Sequence, residues 1–182
     1  MSVNLQQTRV QTALGTLHPL VGPNGLCALF WGDRFDRTNA HLERHLGPWQ
    51  TEQVDHIPSV TPHLNAYFQG DLGALERIAI NLHGTDFQLK VWEALRKIPT
   101  GATCSYGQLA QSIGHPKAYR AVAQANAYNP IPIVVPCHRV IAANGEIGGF
   151  SCGIERKYWL LDHEGSWPQA LLVHGERRPQ KS

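Results

Sequence analysis

The chain reads as an α/β protein with a small N-terminal lobe, a short β-sheet with helices over residues 1–83, and a mainly helical C-terminal lobe over residues 84–182 that ends in a short tail. Three observations lead there. Two apolar, β-prone runs flank a Gly-Pro-Asn-Gly turn in the first third; helical periodicity dominates from Phe87 onward; and two short helical segments with a glycine between them follow each other closely. The length of 182 residues suits one compact domain or two small lobes sharing a core.

In the first lobe, Leu14 to Val21 and Leu26 to Trp31 lie on either side of Gly22-Pro-Asn-Gly25 and predict a hairpin. Arg37 to Leu46 reads as a helix. So does Thr61 to Gln69, where Pro62 sits just inside the start and has no amide hydrogen to lose. Arg77 to Leu82 predicts a further strand, and residues 70–83 a connection between the lobes. In the second lobe Thr85 or Asp86 caps a helix whose apolar stripe is Phe87, Val91, Leu95 and Ile98, and Pro99-Thr-Gly101 ends it. Ser105-Tyr-Gly-Gln108 has the capping-box pattern and predicts a helix through Ile113. Gly114 stops it, Pro116 is placed as the first residue of the next helix, and Ala118 to Ala127 continue that helix. The pair forms a helix-turn-helix candidate, with Lys117 and Arg120 placed to touch phosphate. Shape alone leaves two packed helices with a solvated basic face as an equal reading.

Composition narrows the class. Hydrophobic residues at 42% and charged residues at 16% fit an ordered globular chain. No apolar run approaches the roughly 20 residues that span a bilayer, so no membrane partner is expected. The first residues lack the basic flank and apolar stretch of a secretory signal, which leads to an expectation of a cytoplasmic protein in a bacterium, or a nuclear one in a eukaryote. A net charge of +2 neither requires nor forbids nucleic acid, because a footprint depends on local clustering. Cys27, Cys104, Cys137 and Cys152 form no C-x-x-C pair. Cys27 with His18 or His83 is the one zinc set to consider, and its spacing matches no compact zinc module. No metal and no cofactor are therefore expected, and interest turns to single thiols.

The segment Asn129-Pro-Ile-Pro-Ile-Val-Val-Pro-Cys-His-Arg-Val140 stands apart. Three prolines in seven residues rule out a helix and impose a stiff extended path, and the apolar run Ile131 to Val135 calls for burial. Cys137 and His138 stand at its end. A thiol acts as a nucleophile only as thiolate, which needs a base or a positive field nearby. An inert buried cysteine is the alternative reading of the same residue.

Pro136-Cys-His-Arg-Val140 with Asn129-Pro130 resembles the active-site signature of the O6-alkylguanine-DNA alkyltransferases. The similarity runs through Gly84-Thr-Asp-Phe87, Val91-Trp92, Ile98-Pro-Thr-Gly101, Ser105 to Ala110, Pro116-Lys117, Arg120-Ala-Val122, Gly149-Phe150, Glu155-Arg-Lys157, Trp159-Leu-Leu161 and His163-Glu-Gly165, in order and at family-like spacing. The N-terminal third is similar only in outline, through Thr12 to Gly15 and Gly25-Leu26.

The resemblance implies an active-site cysteine in the C-terminal lobe and direct reversal of DNA damage: irreversible, stoichiometric transfer of an alkyl group from O6-alkylguanine, with O4-alkylthymine as a second substrate to test. It implies that Cys137 is the acceptor, that His138 acts as its base through a water, and that Glu164 orients His138. Asn129 would hold the bend of the active-site segment. Tyr106 would donate to the guanine ring as it leaves, Ser151 would offer its backbone N–H to the base oxygen, and Lys157 would support the pocket. Arg120, with Lys117 beside it, would enter the minor groove and fill the gap left by a flipped nucleotide. The partner implied is double-stranded DNA carrying alkylated guanine, bound by a monomer. Three residues depart from the family pattern: Ala123 and Cys152 where glycine is frequent, and Tyr128 where small or basic residues are usual. Two other classes stay in view, a non-catalytic protein that binds alkylation damage and a cysteine hydrolase built from Cys137, His138 and Glu164.

Overall fold

A computed structural model describes residues 1–166. The chain divides into two compact units. The first comprises Met1–Thr85 and Pro130–Val134, and the second comprises Asp86–Asn129 and the chain from Val135 onward.

The first unit is built on a five-stranded sheet: β1 (Val3–Gln7), β2 (Val10–Thr12), β3 (Gly15–Gly22), β4 (Gly25–Trp31) and β5 (Trp49–Gln53). The hairpin β3–β4 forms where the turn residues place it, with Gly22 paired to Gly25. The other edge of β3 is shared, β2 pairing along its first part and β1 at Leu20 and Val21. β5 runs parallel to β1, Val3 opposite Trp49. Leu5, Leu20, Cys27, Ala28, Phe30 and Leu42 make one core cluster, so α1 (Phe35–His45) lays its single buried residue, Leu42, on the sheet. α2 (Thr61–Phe68) begins with Pro62 in its first turn as the sequence requires.

Arg77 to Leu82 does not form the expected strand. Arg77 is drawn into a 3-10 turn, Ala74–Arg77, and beyond it Ile80 makes a single parallel bridge with Leu26. Leu26 N–H donates to Ala79 O at 2.9 Å and Asn81 N–H to Leu26 O at 2.8 Å. The approach is close enough that a Cβ on Gly25 would lie 2.6 Å from Ala79 O, and Gly25 has φ +126°, so glycine is required there twice over. The segment Pro130–Val134 adds another backbone contact to this unit, Leu29 N–H to Pro130 O at 2.9 Å. Ile131 and Ile133 are buried, and Ile133 has φ +74°, the one positive φ outside glycine among the described residues. For a β-branched side chain that conformation is strained.

The second unit holds α3 (Asp86–Leu95), α4 (Tyr106–Ser112), α5 (Tyr119–Ala127), α6 (Ile154–His163) and a two-stranded parallel sheet of β6 (Cys104–Ser105) and β7 (Val140–Ile141). α3 buries Val91, Trp92 and Leu95, and the Trp92 indole donates to Ala125 O at 2.9 Å, pinning α5 against it. The capping box at α4 is present in both halves: Gln108 N–H to Ser105 Oγ at 3.1 Å, and Ser105 N–H to Gln108 Oε1 at 2.8 Å. The next helix starts three residues later than Pro116. Residues 115–118 close a turn through Ala118 N–H to His115 O at 2.8 Å, and the fixed φ of Pro116 serves this turn as well as it would a helix start. α4 and α5 pack on each other as the two arms of a helix-turn-helix. No described helix is long and apolar enough to cross a membrane.

Candidate active site

All residues singled out from the sequence as catalytic or base-contacting lie in the second unit. The proline-rich path ends in a 3-10 turn, Cys137–Arg139, between Pro136 and β7. The bend before it is closed by Asn129, whose Nδ2 donates to Val135 O at 2.7 Å. Cys137 N–H donates to Val135 O at 2.8 Å, so the thiol sits on a backbone held at both ends.

Cys137 is buried, and burial, reinforced by the nearby Cys152 thiol, pushes its pKa up to about 12; Asn129 and the Lys157 ammonium act the other way. At pH 7 a thiol with that pKa is ionised in about one molecule in 10⁵. A standing thiolate is therefore absent, and any attack by this sulfur needs a base acting at the moment of reaction.

His138 is fully buried, and its Nε2 lies 2.9 Å from Glu164 Oε1. Burial holds the imidazole pKa below its usual value of 6.5 even against the pull of Glu164, so the ring is neutral near pH 7. A neutral ring that donates from Nε2 to a carboxylate carries its lone pair on Nδ1. That Nδ1 is buried and no protein group among the described residues hydrogen-bonds to it. The imidazole is thus set as a proton acceptor.

Glu164 caps the C-terminal end of α6 and is gripped on two sides. Arg139 reaches it through Nε to Oε2 and Nη2 to Oε1, both 2.9 Å, and donates further to Ile98 O at 2.7 Å and Thr100 Oγ1 at 3.1 Å. Burial alone would push the Glu164 pKa up; His138 and Arg139 together outweigh it and hold the carboxyl well below the usual carboxylate range. Sequence reasoning gives Arg139 no role of its own. Its position directly after Cys-His is the available signal, since adjacent residues of a tight turn present both side chains to one partner.

Lys157, in the first turns of α6, has no exposed surface and donates to Val140 O at 2.6 Å and Gly149 O at 3.1 Å. It ties β7 to the glycine-rich loop 148–153, and burial lowers its pKa to about 8, with Cys137 acting in the opposite direction. Ser151 lies half-buried in that loop, its hydroxyl 3.9 Å from the Cys152 sulfur, and Cys152 itself is buried. Tyr106 opens α4, half-buried; burial and the Cys137 sulfur raise its pKa, while Asn126 lowers it. Lys117 and Arg120 are exposed, Lys117 in the turn and Arg120 in the first turn of α5, with the guanidinium 5.8 Å from the Tyr119 ring. The Cys27 thiol faces Gly25 O at 3.5 Å and the Asn81 amide at 3.9 Å. Among the described residues no group of three His, Cys, Asp or Glu side chains is arranged to hold a metal ion.

Comparison with known proteins places this site in a family. The family described as 6-O-methylguanine DNA methyltransferase, DNA binding domain, matches residues 86–166. The methylated-DNA–protein-cysteine methyltransferase of Salmonella typhimurium is 40% identical over 169 residues, covering 90% of this chain and 97% of that protein; its counterpart in Mycobacterium bovis is 54% identical over 110 residues, 60% of this chain and 66% of that one. Among solved structures, that of Mycobacterium tuberculosis OGT in complex with DNA superposes with a TM-score of 0.72 at 38% identity, covering 93% of this chain and 99% of that one. The O6-methylguanine-DNA methyltransferase from Pyrococcus kodakaraensis gives 0.68 at 26% identity, over 88% and 99%. With a relative matched over nearly its whole length and the buried Cys137, His138 and Glu164 set in the matched region, the chain belongs to the methylated-DNA–protein-cysteine methyltransferase family.

Proposed function

We propose that this protein repairs DNA by moving an alkyl group from O6 of guanine onto Cys137, once per molecule. The observation that carries the assignment of residues is the buried Cys137 thiol, too basic to ionise alone, next in the chain to an imidazole whose acceptor nitrogen is held ready by Glu164.

In this reading the Cys137 proton passes through a water to His138 Nδ1, and Glu164, fixed by Arg139, stabilises the imidazolium. Sulfur attacks the alkyl carbon in line, the S–C bond forms as the C–O6 bond breaks, and the electron pair stays on the base. Tyr106 donates its hydroxyl proton to the guanine ring, so the base leaves neutral and the phenolate recovers a proton from solvent. The Ser151 N–H stabilises the base oxygen as charge develops there. The thioether cannot be hydrolysed under these conditions, which makes the reaction stoichiometric. Arg120 and Lys117 contact the DNA, with Arg120 filling the stack when the nucleotide flips; the protein acts as a monomer.

The test is direct. With excess DNA carrying methyl-labelled O6-methylguanine, one label per protein is expected, on Cys137, and none in Cys137→Ser. Repeated turnover would instead indicate the hydrolase reading, and DNA binding without label the damage-binding one.

A further inference from the structure

Asn126 is the one asparagine buried in α5, 4% exposed on the face that also carries Val122 and Ala125. An apolar residue would pack that face at less cost. Its Nδ2 lies 3.4 Å from Cys137 O, and its side chain acts to lower the pKa of the Tyr106 hydroxyl, against burial. Its Oδ1 is buried and no described group hydrogen-bonds to it. A buried amide with an unmet oxygen weakens the fold unless it has a task in the site.

We infer that Asn126 is a positioning residue for alkyl transfer, its amide anchored on the Cys137 carbonyl and orienting the Tyr106 hydroxyl, the donor to the leaving base. The inference rests on the functional reading above. α5 is well suited to this: its backbone is anchored by the Trp92 indole at Ala125 O, one residue before Asn126, so the amide has little freedom. Tyr106 is the first residue of α4, where a capping box already fixes the backbone, leaving the hydroxyl orientation as the freedom that Asn126 removes.

The consequence is specific to the leaving group. Transfer from an alkylated guanine needs both the sulfur and the Tyr106 donor. Alkylation of Cys137 by iodoacetamide needs the same sulfur and the same His138 relay, but iodide departs without a proton. Asn126→Leu and Asn126→Ala should therefore slow transfer from free O6-benzylguanine roughly 10-fold, the upper end of what the loss of one net hydrogen bond costs. The rate of Cys137 carbamidomethylation should stay within about 2-fold, because general-base assistance is untouched. In a Tyr106→Phe background the same substitutions should cost almost nothing more, since the partner they orient is gone.

Equal slowing towards benzylguanine and iodoacetamide, or full additivity with Tyr106→Phe, overturns the inference and makes Asn126 a packing residue. If the unsubstituted protein takes no label from benzylguanine or from alkylated DNA while Cys137 still reacts with iodoacetamide, the functional reading fails, and this inference with it. The alanine variant guards against a folding defect of the leucine one, and thermal unfolding of both establishes that the compared proteins are native.

Discussion

Glu164 accepts the Nε2–H of His138 at 2.9 Å, and neither side chain has any solvent-exposed surface. A carboxylate in that setting fixes the tautomer of the ring as well as its orientation, and it is itself fixed by the two-pronged Arg139 contact. Replacing it tests both functions. Glu164→Gln should slow transfer by on the order of 10²–10⁴-fold, the usual contribution of positioned acid–base groups. It should also lower stability by about 3–5 kcal/mol, because the buried Arg139 charge loses its counter-ion. Affinity for alkylated DNA, measured by fluorescence anisotropy, should be nearly unchanged. A wild-type transfer rate would leave Glu164 with a purely structural place at the end of α6.

Stability should decline on acidification in two stages. His138 is held neutral in the fold, with its pKa below 6.5, so the unfolded chain gains a proton first and stability drops as pH falls below 6.5. Glu164 is held ionised, with its pKa below 4.5, so its contribution is intact above that value and lost as pH falls beneath it. On the alkaline side Lys157, lowered from 10.5 to about 8, gives a gain as pH rises from 8, since the unfolded chain still holds that proton. From about pH 9 the buried Cys137 opposes it, because an unfolded thiol ionises there while the folded one stays protonated to about 12. Urea unfolding between pH 2 and 10 should show the two acid stages and no net alkaline loss up to pH 9. Glu164→Gln should lack the lower stage.

Cys152 sits in the loop tied down by Lys157, at a position where its sulfur raises the pKa of Cys137. If it crowds the base pocket, Cys152→Gly should speed reaction with benzylguanine more than with O6-methylguanine in DNA, by several-fold as a steric effect worth about 1 kcal/mol. Competition rates with the two substrates read the ratio. Equal acceleration would trace the effect to loop stability or to the Cys137 pKa instead.

Arg120 separates flipping from simple phosphate contact. As a wedge it offsets an unstacking cost of a few kcal/mol, so Arg120→Ala should slow transfer sharply on well-paired duplex, less on a mismatched or single-stranded site, and hardly at all with the free base. A phosphate contact predicts weaker binding to every DNA alike and a salt slope smaller by about one unit. Loss of activity on the free base would exclude both and place Arg120 in support of the pocket.

Short-range patterns specify local structure well in this chain. The Gly22–Gly25 turn and the capping box at Ser105 each lie within a few residues and form where the pattern places them, whereas of the apolar stripe of α3 only Val91 and Leu95 are buried, and the helix ends at Leu95, before Ile98. Such patterns fail where two local solutions have similar energy. Pro116 suits a turn as well as a helix start, and Arg77 to Leu82 has the composition of a strand but finds only one residue of edge, at Leu26, to pair with. The strand β5 carries no legible signal, because four of its five residues are exposed and its partner β1 lies more than forty residues away.

Residue order is enough to show the chemistry on offer: a cysteine and histidine at the end of a stiff, proline-bound segment, inside a pattern long enough to indicate the family. Only the folded chain holds this thiol protonated at rest, leaves Nδ1 of His138 as the acceptor, and brings Arg139 to Glu164 and the Asn126 amide to the Cys137 carbonyl. Those properties depend on burial and on partners 11 to 26 residues away in the chain. Desolvation and hydrogen-bond direction exist only once α5, α6 and the turn at Cys137 have closed on one another, and no reading of neighbouring residues contains them.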